Sequence, residues 1–135
     1  MGSPNSGENK IMTYKWDNKK PTVQMLGRWQ PFHDGHYALF EEIIKKTGQA
    51  CIMVRDLQGV DDNPFDFEYV KSKILKKLEP KYKNRFKIVL VPNITNICYG
   101  RGVGYKIEEI VLPESIQKIS ATKIRKKMRS KGELK

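Results

Sequence analysis

Hydrophobic positions along the chain fall into short unbroken runs that alternate with longer stretches of helical period. The unbroken runs predict strands, at 22–26, 50–54, 86–91 and 107–112, of which the first two are expected to be buried. The stretches with apolar residues three to five positions apart predict helices, at 34–46, 65–78 and 120–129. Gly48 and Pro80 follow the first two helical stretches and are expected to end those helices.

Strands that alternate with helices predict an α/β domain with a parallel sheet and right-handed crossovers. The 135 residues fit a single domain. Because polar residues dominate 1–20, we expect a flexible N-terminal tail there, a domain over 21–131 and a C-terminal tail over 132–135. Within the first of these segments an alternating pattern fits either an edge strand or loose packing onto the domain, at Met12, Tyr14 and Trp16.

The charge of the chain narrows the kind of partner. There are 26 Lys+Arg against 15 Asp+Glu, a net charge of +11, which favours a polyphosphate ligand, a nucleic acid or an acidic surface. The chain has no apolar run of about 18 residues and no N-terminal signal core, so we expect a cytoplasmic protein without a membrane partner. Cys51 and Cys98 stand alone, which favours buried thiols over a disulfide or a zinc site.

The segment 27–36, Gly-Arg-Trp-Gln-Pro-Phe-His-Asp-Gly-His, leaves the first predicted strand and enters the first predicted helix. Gly27 allows a ligand to approach the backbone closely, and Pro31 stiffens the turn. His33 and His36 are three positions apart, so both imidazoles lie on one side of the helix start. The positive end of the helix dipole already favours anions at this place.

Two N–H donors at a helix start suit attack on an α-phosphate. Charge builds on the non-bridging phosphate oxygens during the attack, and donors aimed at them stabilise the transition state more than the ground state. An attacking phosphate oxyanion needs no general base, so such a protein works by positioning and electrostatics. Histidines near a helix start are also common in structural or exposed roles. A zinc site is disfavoured because a third and a fourth ligand are missing.

A second segment, 119–125, reads Ile-Ser-Ala-Thr-Lys-Ile-Arg and opens the last predicted helix. Ser120 is a good N-cap for that helix. The free N–H groups, the hydroxyls of Ser120 and Thr122 and the helix dipole form a phosphate cradle, to which Arg125 adds a fork of donors. The alternative is an ordinary capped helix with a solvated basic face.

Together the two segments are far more specific than either alone. The first resembles the His-x-Gly-His signature of the nucleotidyltransferase superfamily, in its Gly-Arg-Phe-Gln-Pro-x-His-x-Gly-His form with Trp29 in place of Phe. The second resembles the Ile-Ser-x-Thr-x-Ile-Arg signature of the same superfamily. The resemblance covers residues 21–125 and implies a Rossmann-like three-layer fold.

The resemblance also implies roles for individual residues. His33 and His36 would contact the α-phosphate, and Arg125 would act with Ser120 and Thr122 on the β- and γ-phosphates. Further nucleotide-binding or phosphate-binding candidates are Gly27, Arg28, Trp29, Gln30, Gly35, Gly100 and Arg101. Mg²⁺ would come with the triphosphate and be held mainly by phosphate oxygens, so no protein metal ligand is expected.

Two candidates outside the motifs have plainer alternatives. Arg55 follows the second strand, where the crevice of such a fold lies, and is a candidate for the second substrate's phosphate. It fits a surface arginine at a strand end equally well. Gly100 and Arg101 belong to a glycine-rich turn that matches a dinucleotide fingerprint only loosely and also fits a flexible turn.

The expected function is nucleotidyl transfer to a phosphate-bearing small molecule with release of pyrophosphate. The pattern Gly-Arg-x-Gln-Pro-x-His resembles adenylyltransferases that act on nicotinamide mononucleotide, which favours AMP transfer from ATP. The alternatives are a cytidylyltransferase that uses CTP and a non-catalytic nucleotide-binding or nucleic-acid-binding module. The lysine-rich stretches 71–77 and 123–131 fit solvated helix faces, so nucleic acid is not the expected partner. The resemblance is compatible with a homo-oligomer.

Overall fold

The computed structural model describes residues 14–57, 63–101, 104 and 106–134. Three parallel strands form one sheet in sequence order, β1 (Val23–Gly27), β2 (Ala50–Arg55) and β3 (Phe86–Val91). The helices in the described ranges are α1 (Asp34–Thr47), α2 (Phe67–Tyr82), α3 (Glu114–Gln117) and α4 (Ala121–Ser130). The predicted α/β domain with a parallel sheet is confirmed, and its strand–helix–strand order is Rossmann-like.

The core lies on one face of the sheet. In the registered strands, Met25 pairs with Ile52 and Ile52 with Ile88, so these side chains form one row. Both crossover helices press apolar side chains against that face. The fully buried members of the core cluster are Phe40, Ala50, Ile52, Val54, Val70, Ile74 and Leu78.

Helix α1 begins at a side chain that accepts hydrogen bonds from the backbone and ends at a glycine in the left-handed conformation. His33 is its N-cap, and Gly48 is its C-cap with φ 91°, in the left-handed region where glycine is favoured. The Gly48 N–H donates to the Ile44 carbonyl at 2.7 Å and closes the last turn. The predicted end of this helix at Gly48 is confirmed.

Helix α2 does not end before Pro80, so that prediction is wrong. The helix continues through the proline to Tyr82. The last turn is fastened to α1, because the Tyr82 hydroxyl donates to Glu41 at 2.7 Å and the Tyr82 ring meets Phe40 edge-on at 5.0 Å. These tertiary contacts offset the hydrogen bond that the proline removes.

The last predicted strand, at 107–112, is also wrong. Residues 106–113 have no regular secondary structure and lie along α1 instead of joining the sheet. Lys46 forms an ion pair with Glu108 at 2.8 Å near one end of α1, while Ile110 packs onto the core cluster. The short helix α3 then follows and contacts α1. Ile110 thus supplies packing without a ladder of backbone hydrogen bonds, while Ile107 and Val111 are 64% and 77% exposed.

Residues 14–22 are held by a buried glutamine at the start of the sheet. Gln49 is 0% exposed, and its Nε2 donates to the Asp17 carbonyl at 2.8 Å and to Thr22 Oγ1 at 2.7 Å. Its Oε1 accepts from the Tyr14 hydroxyl at 3.0 Å. Tyr14 and Trp16 form no strand, and packing is the alternative that the structure adopts for them. Met12, with the rest of 1–13, lies outside the described residues.

Two further predictions concern the burial of the cysteines and the absence of a membrane-spanning helix. Cys51 is half-buried and Cys98 is exposed, and both are free. The prediction of a buried thiol is wrong for Cys98, because the segment around it has no regular structure to cover it. No helix in the described ranges combines the length and the apolar character that crossing a bilayer requires.

Candidate active site

Two histidines build the start of helix α1. The Nδ1 atom of His33 accepts from the N–H of Gly35 at 3.0 Å and from that of His36 at 3.4 Å. In return, His36 Nδ1 accepts from the His33 N–H at 3.1 Å. The two imidazoles stack with centroids 3.6 Å apart and planes inclined by 16°. They form a reciprocal capping box made of histidines in place of the usual Ser and Glu.

These hydrogen bonds determine where each imidazole carries its proton. A neutral imidazole has one nitrogen that accepts and one that donates. Because both Nδ1 atoms accept from backbone N–H groups, both rings carry their hydrogen on Nε2. The capping box thus leaves His33 and His36 each with one N–H donor at Nε2, beside the positive end of the helix dipole.

Burial keeps the imidazoles neutral. Burial, with a smaller contribution from the neighbouring His33, lowers the pKa of His36 to about 3. Burial also lowers the pKa of His33, against the opposing effect of Asp34 and together with the effect of Lys77. At neutral pH the pair therefore offers N–H donors without formal charge.

Two glycines make room for aromatic rings. A Cβ on Gly35 would lie 2.9 Å from Cε1 of the His33 ring, which is closer than carbon atoms approach without displacement. A Cβ on Gly27 would lie 2.7 Å from the Trp29 ring. The space beside Gly27, where a ligand was expected to approach the backbone, is occupied by the indole of Trp29, and the approach of a ligand stays a prediction.

Trp29 lies under the histidine pair. It is 6% exposed, has φ 54° and donates from Nε1 to the Met53 carbonyl of β2 at 3.1 Å. The His36 ring meets the indole edge-on with centroids 4.7 Å apart. The indole therefore buries one side of His36 and fixes the strand-to-helix turn to the neighbouring strand.

Gln30 makes its side-chain contacts with the protein itself. Its amide exchanges two hydrogen bonds of 2.9 Å with the backbone N–H and carbonyl of Phe65. The residue is 3% exposed. This contact places the stretch 63–65 against the first motif, a connection that the spacing of the sequence does not reveal.

The second motif lies next to the first. Ser120 is the N-cap of α4, as expected, and its Oγ accepts from the Lys123 N–H at 3.3 Å. Arg125 is 3% exposed and donates to the Gln30 carbonyl and, at 3.3 Å, to Thr122 Oγ1. Both hydroxyls act as acceptors in these contacts, so their hydrogens remain available to a phosphate oxygen.

The other candidates are distributed over the carboxyl ends of the strands. Arg28 is exposed directly after β1, and Arg55 ends β2 half-buried with its Nη2 2.8 Å from Asn93 Oδ1. Since Gly27 pairs with Val54, the two arginines follow at the same level of adjacent strands. Gly100 and Arg101 are exposed, and no described hydrogen bond joins either to the two motifs.

Lys77 is a neighbour of the site that sequence reasoning missed. It reaches from α2 to an ion pair with Asp34, the residue between the two motif positions His33 and Gly35. The stretch 71–77 was expected to be solvated. Only the right-handed crossover, which places α1 and α2 on the same face of the sheet, could have indicated this contact.

The described residues offer no metal centre of their own. No group of three or more His, Cys, Asp or Glu side chains among them is placed to hold a metal ion. Asp34, the carboxylate beside the histidines, is paired with Lys77. The donors collected here are imidazole, hydroxyl and guanidinium groups, which fit phosphate oxygens and not a bare divalent cation.

Comparison with known proteins agrees with the motifs. No protein-family model matches this chain. It is similar to a nicotinamide-nucleotide adenylyltransferase of Methanococcus aeolicus, with 32% identity over 72 residues, which are 52% of this chain and 41% of that protein. The chain thus matches less than half the length of this curated relative.

Proposed function

We propose that this protein is a nucleotidyltransferase that transfers AMP from ATP to a phosphate-bearing small molecule and releases pyrophosphate. The observation that carries the proposal is the histidine pair. Two neutral Nε2–H donors at one helix start suit an anion whose charge grows during the reaction. A helix N-terminus alone would bind phosphate, whereas paired donors of this kind suit a transition state.

The proposed reaction forms one bond and breaks one. A phosphate oxygen of the acceptor attacks the α-phosphorus, and the bridging bond between the α- and β-phosphates breaks. The electron pair of that bond leaves with pyrophosphate. His33 and His36 donate to the α-phosphate oxygens, while Ser120, Thr122 and Arg125 hold the β- and γ-phosphates. No proton has to leave an attacking phosphate oxyanion, so the site works without a general base.

The remaining candidates take supporting roles in this proposal. Gly27, Trp29 and Gly35 shape the turn that presents the histidines. Arg28, Gly100 and Arg101 are exposed and accessible to the nucleotide. Arg55, at the carboxyl end of β2, would meet the acceptor's phosphate.

Mg²⁺ fits this site as a companion of the triphosphate. Its shell would come mainly from phosphate oxygens, because the groups collected here are hydrogen-bond donors and the neighbouring Asp34 carboxylate is paired with Lys77. When bound, it would neutralise charge on the phosphates. The residues of the chain would then orient the triphosphate and donate hydrogen bonds to its oxygens.

The choice of ATP and of the first acceptor to test rests on the named relative. A protein that shares 32% of its residues with this chain over the matched stretch is named for adenylyl transfer to nicotinamide mononucleotide. We therefore take nicotinamide mononucleotide as the first acceptor of a panel of phosphorylated metabolites, and CTP as the competing triphosphate.

The test is pyrophosphate release by the purified chain with Mg²⁺, each triphosphate and each acceptor. Release that requires both ATP and one acceptor supports the proposal. Release that requires CTP instead of ATP, together with one acceptor, would show that the protein transfers a cytidylyl group. No release with any pair across a broad panel would contradict nucleotidyl transfer.

The most informative variant is His36→Asn, because it keeps the helix-capping acceptor of His36 and removes only the proposed catalytic donor. The Asn Oδ1 replaces Nδ1 as the acceptor for the His33 N–H, but no donor remains at the place of Nε2. We expect a turnover lower by a factor of about 10² to 10³, the usual loss for one transition-state donor, with an unchanged circular dichroism spectrum. An unchanged turnover would remove His36 from the mechanism.

A further inference from the structure

Gln30 connects three segments that are far apart in sequence. Its side chain pairs with the backbone of Phe65, 35 residues away, through two hydrogen bonds of 2.9 Å. Its own carbonyl accepts from the guanidinium of Arg125, 95 residues away. Gln30 and Arg125 are each only 3% exposed, so these bonds are shielded from water. One buried residue therefore contacts both the segment after β2 and the second phosphate-binding helix.

The side-chain contact requires a carboxamide. The Phe65 backbone presents a donor and an acceptor to the same side chain, and an amide offers one of each at the matching places. An ionised carboxylate accepts only, and a thioether of the same length supplies neither group. Because the site is buried, water cannot readily take over the two bonds.

We propose that Gln30 is a positioning residue that holds the stretch 63–65 and helix α4 in register with the His33–His36 pair. This inference rests on the proposed function and gives Gln30 a role in place of nucleotide contact. The triphosphate has to meet the donors of the histidine pair and of Ser120 and Thr122 at once. The Gln30 side chain, by binding the Phe65 backbone, holds the Gln30 backbone carbonyl at the place where Arg125 of α4 donates to it, and so sets the distance between these two sets.

Positioning predicts a particular kinetic signature. Each motif still binds its own phosphate groups when the register is lost, so the KM for the triphosphate changes little. The α-phosphate is then misaligned with its donors, and a shift of this kind lowers kcat strongly. A residue that only stabilises the fold would lower the thermal midpoint and leave kcat of the folded protein unchanged.

The experiment compares Gln30→Met and Gln30→Glu with a matched control, Gln24→Met. Gln24 is exposed on β1 and makes no described side-chain hydrogen bond. For Gln30→Met we expect kcat at least about tenfold lower and a triphosphate KM within about threefold of the parent protein. The control should match the parent in both quantities.

Gln30→Glu adds a pH-dependent rescue. The protonated carboxyl group has one donor and one acceptor, as the amide does; burial favours this form, and the neighbouring Arg125 guanidinium opposes it. The ratio of variant to parent kcat should therefore rise as the pH falls, and Gln30→Met should show no such rise. A ratio that does not change with pH would count against the paired contact as the cause.

The outcomes separate this inference from the function itself. If the parent protein transfers no nucleotide, the proposed function fails, and hydrogen exchange at 63–66 and 121–125 decides the positioning role. Faster exchange at both places in Gln30→Met than in Gln24→Met supports it. If the parent is active, unchanged kcat in Gln30→Met, or a loss confined to the thermal midpoint, overturns the inference.

Discussion

The histidine pair shows how one side chain can serve the fold and the chemistry at once. In each ring, Nδ1 caps helix α1 and thereby assigns the hydrogen to Nε2. The spacing of His33 and His36 was enough to predict that both rings lie on one side of the helix start. It could not reveal that they cap the helix themselves, because histidine is not among the usual N-cap residues.

Gly35→Ala tests whether the position of the His33 ring matters. The new Cβ would lie 2.9 Å from Cε1 and 3.1 Å from Nδ1, so the ring has to move. We expect turnover to fall about tenfold or more through misalignment, while the gain in helix propensity, up to about 1 kcal/mol, offsets part of the steric cost. The measurement is kcat together with the free energy of unfolding in urea. Unchanged turnover would contradict the role of the ring's position.

The depressed pKa values of the histidines predict how stability depends on pH. Between the unfolded value of 6.5 and the folded value of about 3 for His36, the unfolded chain binds a proton that the folded chain does not. Stability from this residue is thus complete above pH 6.5 and is lost as the pH falls toward 3. Glu41 and Glu108, whose pKa values are lowered from 4.5, act mainly at lower pH.

Urea unfolding at about pH 7.5 and about pH 5 measures this effect above the carboxylate range. The parent protein should lose more stability between the two conditions than His36→Asn, which has no titrating group at position 36. Equal losses would show that His36 is already charged in the folded protein.

At the scale of elements, the three strands and helix α1 followed from the pattern, although Val89 and Leu90 of β3 are exposed. The run at 107–112 does not form a strand, since six residues cannot specify whether a neighbouring strand covers them, and Ile107 and Val111 remain exposed. Its charged partner Glu108 and its anchor Ile110 both belong to packing against α1 and the core. The helix end predicted at Pro80 is wrong for a related reason. The contacts that Tyr82 makes with α1 outweigh the tendency of proline to end a helix.

A substitution at Gln49 tests how residues 14–22 are attached to the sheet. Gln49→Met keeps the length of the side chain but removes every hydrogen bond to residues 14–22. We expect a loss of about 1–3 kcal/mol in the free energy of unfolding, and faster hydrogen exchange over 14–22 with little change at α4. Gln24→Met is the exposed control. Slow exchange over 14–22 in Gln49→Met would show that other contacts hold the segment.

At the scale of the whole molecule, the positive charge is concentrated. Helix α2 has five lysines and two glutamates, and α4 has three lysines, two arginines and no acidic residue, so they carry eight of the chain's eleven net charges. Both helices adjoin the histidine pair, through Lys77 and through Arg125. Their field favours an anionic substrate at this side of the sheet. Composition predicted an anionic partner, and the packing of the two helices indicates the side of the sheet at which it would bind.

The most direct test of the central claim is ³¹P NMR of a complete reaction with ATP, Mg²⁺ and the phosphorylated acceptor identified in the panel. Nucleotidyl transfer predicts one new phosphoanhydride, joining the α-phosphate of ATP to the acceptor phosphate, for each pyrophosphate released. Both signals should be absent with His36→Asn on the same timescale. ADP with inorganic phosphate as the products, or pyrophosphate without the new anhydride, would contradict the account.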